Sequence, residues 1–278
     1  MNDAAKRLVR DALAEDIGQE CLTTNLTVPE GKRCEARLIA KQDGVLSGIK
    51  LFRYVFDQVD ADVIHWEAMP DGASFSDGTL VASFNADIRA VLTGERTALN
   101  FLQRLSGVAT LTSRFVAAVS GLNVKIVDTR KTTPVFRRLE KQAVVHGGGM
   151  NHRHTLSDGI LIKENHIMAA GGITAAVAKA AEGCHHLMRI EVEVRNLDEF
   201  DEALQTEAGV IMLDNMTLED MTEAVRRARG RGVLLEASGN VTLERVRSIA
   251  ETGVDLISAG ALTHSAPAVD LSLLIENV

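Results

Sequence analysis

Hydrophobic and polar positions follow two different patterns along the chain, and the change between them falls near residue 122. After that point, six short runs rich in β-branched residues are separated by segments whose apolar residues recur at helical spacing. Strands that alternate with amphipathic helices predict parallel βαβ units. The six runs are VKIVDTRK (124–131), GILIKENH (159–166), RIEVEVR (189–195), GVIMLDN (209–215), VLLEASGN (233–240) and VDLISAGAL (254–262).

Before residue 122, the chain mixes the hydrophobic spacing of helices with that of strands. A helical pattern over residues 1–18 is followed by strand-like pieces broken by Gly, Pro and Asp. The stretch 94–122 is helical again, with Gly107 as a possible break. We therefore predict a mixed α/β N-terminal domain over residues 1–107 and an α/β barrel domain over residues 108–264. The tail, residues 265–278, alternates weakly and is expected to join the first domain.

All six runs end in polar or charged residues, as barrel strands do where their carboxyl ends meet at one mouth. We therefore expect a parallel α/β barrel, although an open doubly wound sheet would satisfy the same alternation. Because only six strands are evident, the barrel is expected to be incomplete or to include a strand that the pattern does not reveal. Asp198 and Thr242 are expected to cap two of its helices.

Composition narrows the class of protein. The 278 residues are 46% hydrophobic and carry a formal net charge of -8, so a sizeable core is available and nucleic acid is not an expected partner. No apolar run approaches the ~18 residues of a membrane span, and charged residues interrupt the N-terminal segment, unlike a signal peptide. The three cysteines have no paired spacing and predict reduced thiols in a cytoplasmic protein.

Charges of both signs collect at the predicted strand ends. One basic arc comprises Arg130, Lys131, His152, Arg153 and Lys163. It is expected to face an acidic arc of Glu193 and Asp214, with Glu191 and Glu236 as further candidates. Basic side chains suit a substrate with carboxylates or phosphates, and carboxylates suit a divalent cation that escorts a pyrophosphate. Any single charge here could instead be solvated or paired structurally, but six successive strands with such ends favour a functional mouth.

Small residues end the last two units, in EASGN and SAGAL. Such ends allow backbone N–H groups to approach a phosphate, and the loops after the last barrel strands commonly form such a site. The chain contains neither a GxxxxGK[ST] loop nor a GxGxxG turn after a strand, so nucleoside triphosphate and dinucleotide binding are not favoured.

Eight motifs follow in order: GERTALNFLQRLSGVAT, DTRKTTP, LEKQAVVHGGGMNHR, LIKENH, EVEV, MLDN, EASGNV and SAGALTHSAPAVDLSL. This series closely resembles the quinolinate phosphoribosyltransferase family, also called nicotinate-nucleotide pyrophosphorylase, and the likeness covers essentially the whole chain. The resemblance implies an incomplete, about seven-stranded parallel α/β barrel joined to a mixed α/β domain, in a homodimer or an assembly of dimers. It also implies that quinolinate and phosphoribosyl pyrophosphate give nicotinate mononucleotide, pyrophosphate and carbon dioxide in NAD synthesis, with Mg²⁺ and no organic cofactor.

The family's residue roles carry over where the motifs match. Quinolinate would be held by Arg130, His152, Arg153, Lys163 and, from the partner subunit, Arg96. Phosphoribosyl pyrophosphate would be held by Lys131, Glu193, Asp214, Ser238, Gly239, Asn240, Ser258 and Gly260. Catalysis would involve Lys131, Lys163, Glu193 and Asp214. The metal would be held by Glu193 and Asp214, directly or through water or substrate.

Three positions depart from the commoner family pattern and bear on substrate specificity: Val135 replaces Gly, Arg195 replaces an acidic or small polar residue, and Glu20-Cys21 replaces Gly-Asp. Because successive residues of an extended strand end point to opposite sides, Arg130 is predicted to face the pyridine carboxylates and Lys131 the phosphoribosyl group.

Three alternative functions stay open. A homologue with the same fold and another substrate, such as the related proteins associated with molybdenum transport, would be expected to change DTRKTTP and KENH, which are intact. A Schiff-base aldolase with Lys163 as its nucleophile would leave the arginines and the acidic arc unexplained. A non-catalytic binding protein would bind the same ligands without releasing pyrophosphate.

Overall fold

The computed structural model describes residues 1–277 and divides into two compact units. Unit 1 comprises Met1–Ser113, Val145–Gly148 and the chain from Ala266 onwards, and unit 2 comprises Arg114–Val144 and Gly149–Ser265. No helix within residues 1–277 is both long enough and apolar enough to cross a lipid bilayer.

The strands are β1 (Arg33–Ala40), β2 (Gly44–Val45), β3 (Ile64–Ala68), β4 (Ser74–Phe75), β5 (Leu80–Asp87), β6 (Lys125–Val127), β7 (Ile160–Ile162), β8 (Ile190–Val194), β9 (Val210–Asp214), β10 (Leu234–Ser238), β11 (Leu256–Ser258) and β12 (Leu271–Glu276). The helices are α1 (Asp3–Ile17), α2 (Leu22–Thr27), α3 (Ile49–Gln58), α4 (Ile88–Ala118), α5 (Arg137–His146), α6 (Glu164–Ala170), α7 (Ile173–Gly183), α8 (Leu197–Ala203), α9 (Leu218–Ala228), α10 (Val246–Glu251) and α11 (Ala261–His264).

Unit 1 is built on an antiparallel sheet with the strand order β12-β1-β5-β3. Every second residue of β1 is buried, which is the pattern of a sheet with one face on a core. Helix α3 contributes to that core through Phe56, whose ring centroid lies 5.1 Å from the ring of Phe84 in β5. Strand β12 pairs with β1, so the C-terminal tail lies in this sheet.

Helix α4 runs without interruption from Ile88 to Ala118, so the break considered at Gly107 is wrong. The reason for this glycine is a close approach within unit 1. A Cβ atom at Gly107 would lie 2.0 Å from the carbonyl oxygen of Pro267, which no side chain tolerates. The glycine therefore serves packing against the tail rather than an end of the helix.

Unit 2 contains the six predicted strands as a parallel sheet with the order β6-β11-β10-β9-β8-β7. Strands β7 to β11 are neighbours in chain order, and β11 returns to pair with β6, as in a barrel rather than a sheet with a switch point. Between β6 and β7 the described residues form only one isolated parallel bridge, from Val127 to Met150. The barrel is therefore incomplete, with six strands and a bridging segment at the seventh position.

The two faces of the barrel strands differ in chemistry. In β8, Ile190, Val192 and Val194 are buried on one face, whereas Glu191 and Glu193 line cavities on the other. This alternation directs carboxylates into the barrel interior while the apolar face supports the core.

Two helix caps differ from the prediction. The N-cap of α8 is Asn196, whose side chain accepts a hydrogen bond from Glu199 N at 2.9 Å, and Asp198 lies in the first turn. Helix α10 begins at Val246, after a turn in which Thr242 O accepts the N–H groups of Arg245 and Val246. Thr242 therefore starts the turn and not the helix.

Candidate active site

A cleft of about 550 Å³ opens in unit 2 where the strands end. It contains every residue carried over from the family resemblance except Arg96 and Gly260. Two other lining residues, Asn215 and Glu236, belong to the predicted polar strand ends, whereas Thr129, Leu161 and Met212 were not anticipated. The complete lining is Thr129, Arg130, Lys131, His152, Arg153, Leu161, Lys163, Glu193, Met212, Asp214, Asn215, Glu236, Ser238, Gly239, Asn240 and Ser258.

The two exceptions differ in kind. Gly260 adjoins the cleft, because a Cβ atom built on it would lie 2.9 Å from Lys131 Cδ. Its lack of a side chain makes room for Lys131. Arg96 lies on an exposed face of α4 in unit 1 and does not line this cleft.

Arg130 and Lys131 both line the cleft, but neither lies on a strand, so the strand alternation assumed for them is wrong. Their assignment to different anions stays a prediction. Strand β6 ends at Val127, and both cations follow it in a loop. Their neighbours nevertheless differ. Desolvation lowers the pKa of Arg153, and the nearby charge of Arg130 lowers it further. Lys131 instead lies against Gly260. Loop geometry, not strand pleating, directs the two cations to different parts of the cleft.

A buried ion pair closes the loop that carries these cations. Lys141 Nζ donates to Asp128 Oδ1, and both side chains are 0% exposed. The same ammonium donates to His152 O at 2.8 Å, and Asp128 accepts from His152 N at 2.9 Å. Burial raises the pKa of Asp128 and lowers the pKa of Lys141, and their mutual hydrogen bond opposes both shifts. The pair therefore ties the loop after β6 to the segment that carries His152 and Arg153.

The sequence predicted a basic arc that faces an acidic arc across the cleft. In the structure, basic and acidic side chains instead lie next to each other. Lys163 Nζ lies 3.0 Å from Glu193 Oε2, and His152 Nε2 lies 3.0 Å from Glu191 Oε2. The parallel register of β7 and β8, in which Leu161 stands opposite Glu191, explains the first pair, because Lys163 and Glu193 follow two residues later. Lys163 and Glu193, at the ends of neighbouring strands, therefore neutralise each other's charges.

Both ring nitrogens of His152 have partners within the protein. Nδ1 accepts a hydrogen bond from Arg153 N at 2.7 Å, so the proton of the ring is on Nε2, which donates to Glu191. The hydrogen bond to Glu191 raises the pKa of His152, but a second ring proton would break the bond from Arg153 N. We therefore describe His152 as a neutral imidazole that links Glu191 to the Arg153 backbone.

Glu236 is a site residue that sequence reasoning placed only among the further acidic candidates. Its side chain is 2% exposed, and its carboxylate lies 3.8 Å from His152 Nε2. Burial, reinforced by the charge of Glu191, raises the pKa of Glu236 to about 7. The position of Glu236 near a predicted strand end made it a candidate for the acidic arc, but no sequence pattern measures its desolvation.

The loops after β9 and β10 form a close-packed turn at the edge of the cleft. Gly239 has a φ of +90°, and a Cβ atom there would lie 2.3 Å from Asn215 Oδ1. Asn240 Nδ2 donates to the same oxygen at 2.9 Å. Ser258 Oγ, which lies nearby in the cleft lining, is buried and has no hydrogen-bond partner within residues 1–277. This arrangement offers small residues and a hydroxyl donor to an anion.

The three departures from the family pattern lie outside the cleft lining. Val135 has a φ of +57° and is 91% exposed, which is a strained conformation for a β-branched residue. Arg195 is exposed and donates to Glu164 at 2.8 Å and to Glu199 at 3.2 Å, so it is held away from Glu193. Glu20 and Cys21 lie in unit 1, where Cys21 Sγ bonds Thr24 Oγ1 and this bond lowers the pKa of Cys21.

Comparison with known proteins shows two matching family models that together span most of the chain. The model described as quinolinate phosphoribosyl transferase, N-terminal domain, matches residues 22–106. The model described as quinolinate phosphoribosyl transferase, C-terminal domain, matches residues 108–274.

Curated relatives and solved structures agree with the family models. The chain is 42% identical over 266 residues to the probable nicotinate-nucleotide pyrophosphorylase [carboxylating] of Synechocystis, covering 95% of this chain and 90% of that protein. It is 40% identical over 268 residues to the corresponding protein of Bacillus subtilis, covering 96% and 92%. The structure of the nicotinate-nucleotide pyrophosphorylase from Francisella tularensis is similar with a TM-score of 0.95 and 43% identity, covering 99% and 97%.

Proposed function

We propose that this chain, which belongs to the quinolinate phosphoribosyltransferase family, converts quinolinate and phosphoribosyl pyrophosphate to nicotinate mononucleotide, pyrophosphate and carbon dioxide. This reaction brings the pyridine ring into NAD synthesis. One observation carries the proposal: a single cleft combines cationic donors for carboxylates with carboxylates for a sugar cation. The donors are Arg130, Arg153 and Lys163, and the carboxylates are Glu193 and Asp214.

Quinolinate has two adjacent carboxylates, which suit guanidinium groups that can each donate two parallel hydrogen bonds. Arg130 Nε is buried and has no hydrogen-bond partner among the described residues, so this donor is available to a ligand. Lys163 is 49% exposed and can exchange Glu193 for a substrate carboxylate. His152 contributes through Arg153, since its own ring nitrogens are already bonded.

Phosphoribosyl pyrophosphate is assigned to the opposite part of the cleft. Lys131 is exposed beside Gly260, and its charge suits the departing pyrophosphate. The 5-phosphate is assigned to the turn of small residues formed by Ser238, Gly239 and Asn240, with Ser258 and Gly260 beside it. The carboxylates of Glu193 and Asp214 fit the oxygen ligands that Mg²⁺ prefers, and the bound ion would neutralise charge on the pyrophosphate.

The reaction needs alignment and charge stabilisation rather than a covalent nucleophile. The pyridine nitrogen attacks the anomeric carbon while the bond from that carbon to pyrophosphate breaks. Positive charge develops on the ribose, and Glu193 and Asp214 stabilise it. The ring nitrogen is then cationic, so it stabilises the electron pair left on the adjacent carbon when carbon dioxide departs. That carbon finally takes up one proton.

The proposal extends to a cytoplasmic homodimer or an assembly of dimers. Arg96 is exposed on α4 and is assigned to the cleft of a second copy, as the family resemblance implies. Mixing inactive Arg96→Ala and Arg130→Ala variants should restore activity, because one cleft per dimer would regain both arginines. No restoration under conditions of subunit exchange would contradict a shared site. All three cysteines are free thiols, which is consistent with a reducing compartment.

The direct test is release of carbon dioxide from quinolinate labelled at the 2-carboxylate, with and without phosphoribosyl pyrophosphate. We expect release only with both substrates, in equal amount to pyrophosphate. Release of pyrophosphate with another pyridine acid, but not with quinolinate, would identify a homologue with a different substrate. Borohydride trapping of a carbonyl compound on Lys163 would support an aldolase instead, but the ammonium bound to Glu193 is a poor nucleophile.

A further inference from the structure

A compact cluster of ionisable side chains lies in unit 2 one layer below the mouth of the cleft. It consists of His152, Glu191 and Glu236, whose ligand-type atoms all lie within 4.8 Å of one another. In β8, Glu191 precedes Glu193 by two residues on the same face, and in β10 Glu236 likewise precedes Ser238. The cluster therefore forms the floor of the cleft described above.

The cluster contains more hydrogen-bond acceptors than donors. Glu191 Oε1 and Glu236 Oε1 are both buried and have no hydrogen-bond partner within residues 1–277. His152 supplies one proton, which goes to Glu191 Oε2. Two buried carboxylates at this distance cannot both stay charged without a further proton or a cation between them. A cation is disfavoured, because the charges of Lys141 and Lys163 already act on the cluster.

A second cavity reaches the same cluster from the other end of the barrel. This cavity of about 890 Å³ is lined by Val210 and Leu256, the first residues of β9 and β11, and so lies at the amino ends of the strands. It shares His152, Arg153 and Glu236 with the cleft. The carboxyl group of Glu236 therefore lies between a substrate cleft and a separate opening.

The proposed reaction requires a proton at this floor. Loss of carbon dioxide leaves an electron pair on a ring carbon, and two bound substrates exclude water from the cleft. Arginine does not give up its proton in proteins, and the His152 proton is held by Glu191. Lys163 is paired with a carboxylate in both states, with Glu193 in the free protein and with the substrate once quinolinate is bound. Among the described residues of the cleft floor, Glu236 is the group that combines an acidic proton with access to a second cavity.

We propose that Glu236 protonates the pyridine ring carbon from which carbon dioxide has departed, and that the second cavity returns a proton to Glu236 from solvent. The inference rests on the proposed function and adds the acid that completes it. The bond from the ring carbon to the carboxylate breaks, and its electron pair stays on the ring carbon. That carbon takes the proton of Glu236, the Glu236 carboxylate takes one from water, and each turnover consumes one proton for each carbon dioxide released.

The protonation of Glu236 at neutral pH has a clear physical origin. Burial and the charge of Glu191 raise its pKa to about 7, and the charge of Lys163 and the hydroxyl of Ser258 oppose that shift. Ser258 is its polar neighbour from β11, and Asp214 lies near it at the mouth from β9. The acid is therefore present near and below neutrality and is lost as the pH rises above it.

Glu236→Gln is the principal test, because glutamine keeps the shape and neutral charge but has no acidic proton. In single turnover we expect pyrophosphate to form within about 3-fold of the wild-type rate, while carbon dioxide release slows by on the order of 100-fold. The decline of carbon dioxide release above neutral pH should disappear. Glu182→Gln, on the exposed face of α7, is the matched control and should leave both rates unchanged.

A readout without catalysis tests the protonation itself. The folded-state pKa of Glu236 is above its unfolded value, so wild-type stability falls as pH rises from about 4.5 to about 7. The melting temperature of Glu236→Gln should lack this decline relative to wild type. Glu236→Asp retains a carboxylic acid, so its melting temperature should still decline as the pH rises, and it should still release measurable carbon dioxide. This variant provides the test if Glu236→Gln does not fold.

The outcomes separate the inference from the proposed function. If wild type releases no carbon dioxide from quinolinate with phosphoribosyl pyrophosphate, the proposed function fails and the acid role fails with it. If wild type is active and Glu236→Gln matches it in rate and pH profile, only the acid role is overturned. Equal slowing of pyrophosphate and carbon dioxide release would also overturn it. If the wild type binds one Zn²⁺ per chain and Glu236→Gln abolishes that binding, the cluster holds a cation instead of a proton. That result would also overturn the acid role of Glu236.

Discussion

Unit 2 contains two carboxylate–ammonium pairs that are chemically alike and differ in burial. Asp128 and Lys141 are both 0% exposed, whereas Lys163 is 49% and Glu193 is 13% exposed. The buried pair also binds the His152 backbone, so it joins two segments of the site. The partly exposed pair lines the cleft, where a substrate carboxylate can take the place of Glu193. Solvent access, not the identity of the charges, therefore separates a structural pair from one that can take part in binding.

The largest effect is expected from breaking the buried pair. Lys141→Ala leaves the Asp128 charge buried without its partner, so the free energy of unfolding should fall by about 3–5 kcal/mol. Urea unfolding followed by circular dichroism measures this change. Lys50→Ala, at an exposed position of α3, controls for loss of a lysine. The double variant Asp128→Asn/Lys141→Met should recover part of the loss, and failure to do so would show that the charge itself is not the cause.

The next effect concerns the loop that the buried pair closes. Arg130→Ala should weaken quinolinate binding by about 1.5–3 kcal/mol, the range for charge-assisted hydrogen bonds, and affect phosphoribosyl pyrophosphate much less. Lys131→Ala should do the reverse or slow turnover. KM values for both substrates, measured on both variants, test this division. Equal small changes would mean that the two cations of the loop do not serve different anions.

A smaller effect is expected at Val135, in the same loop but fully in solvent. Its φ of +57° is strained for valine, and glycine adopts it without penalty. Val135→Gly should therefore raise the free energy of unfolding by about 1 kcal/mol, since left-handed backbone costs other residues about 1–2 kcal/mol. Val145→Gly, at a half-exposed helical position of α5, should instead destabilise. If Val135→Gly destabilises as well, strain at this position is not stored in the folded state.

The smallest stability effect is expected for the partly exposed pair. Lys163→Met should change the free energy of unfolding by less than about 1 kcal/mol, as for other solvated ion pairs, while carbon dioxide release falls sharply. Thermal unfolding and the substrate assay on one preparation give both values. A stability loss as large as that of Lys141→Ala would remove the distinction between the two pairs.

Sequence patterns predicted the strands of unit 2 well because the helix and strand periods are local properties. The six runs all contain strands, and eleven of the thirteen residues carried over by motif line one cleft, since parallel strands bring their carboxyl ends together. The prediction for Gly107 failed because the pattern is only local. A glycine within a helical pattern is typical of a break, but this one is required by Pro267, which is remote in sequence and close in space.

Residue types and their order determined which elements form, which strand ends bear charge and which family the chain resembles. Only the tertiary structure decided how those charges are partnered. The strand register set Lys163 beside Glu193, and loop packing engaged both ring nitrogens of His152. Burial made Glu236 an acid with a pKa of about 7. The reason is physical: distance and desolvation depend on segments that meet only after folding, and electrostatic free energy depends on both.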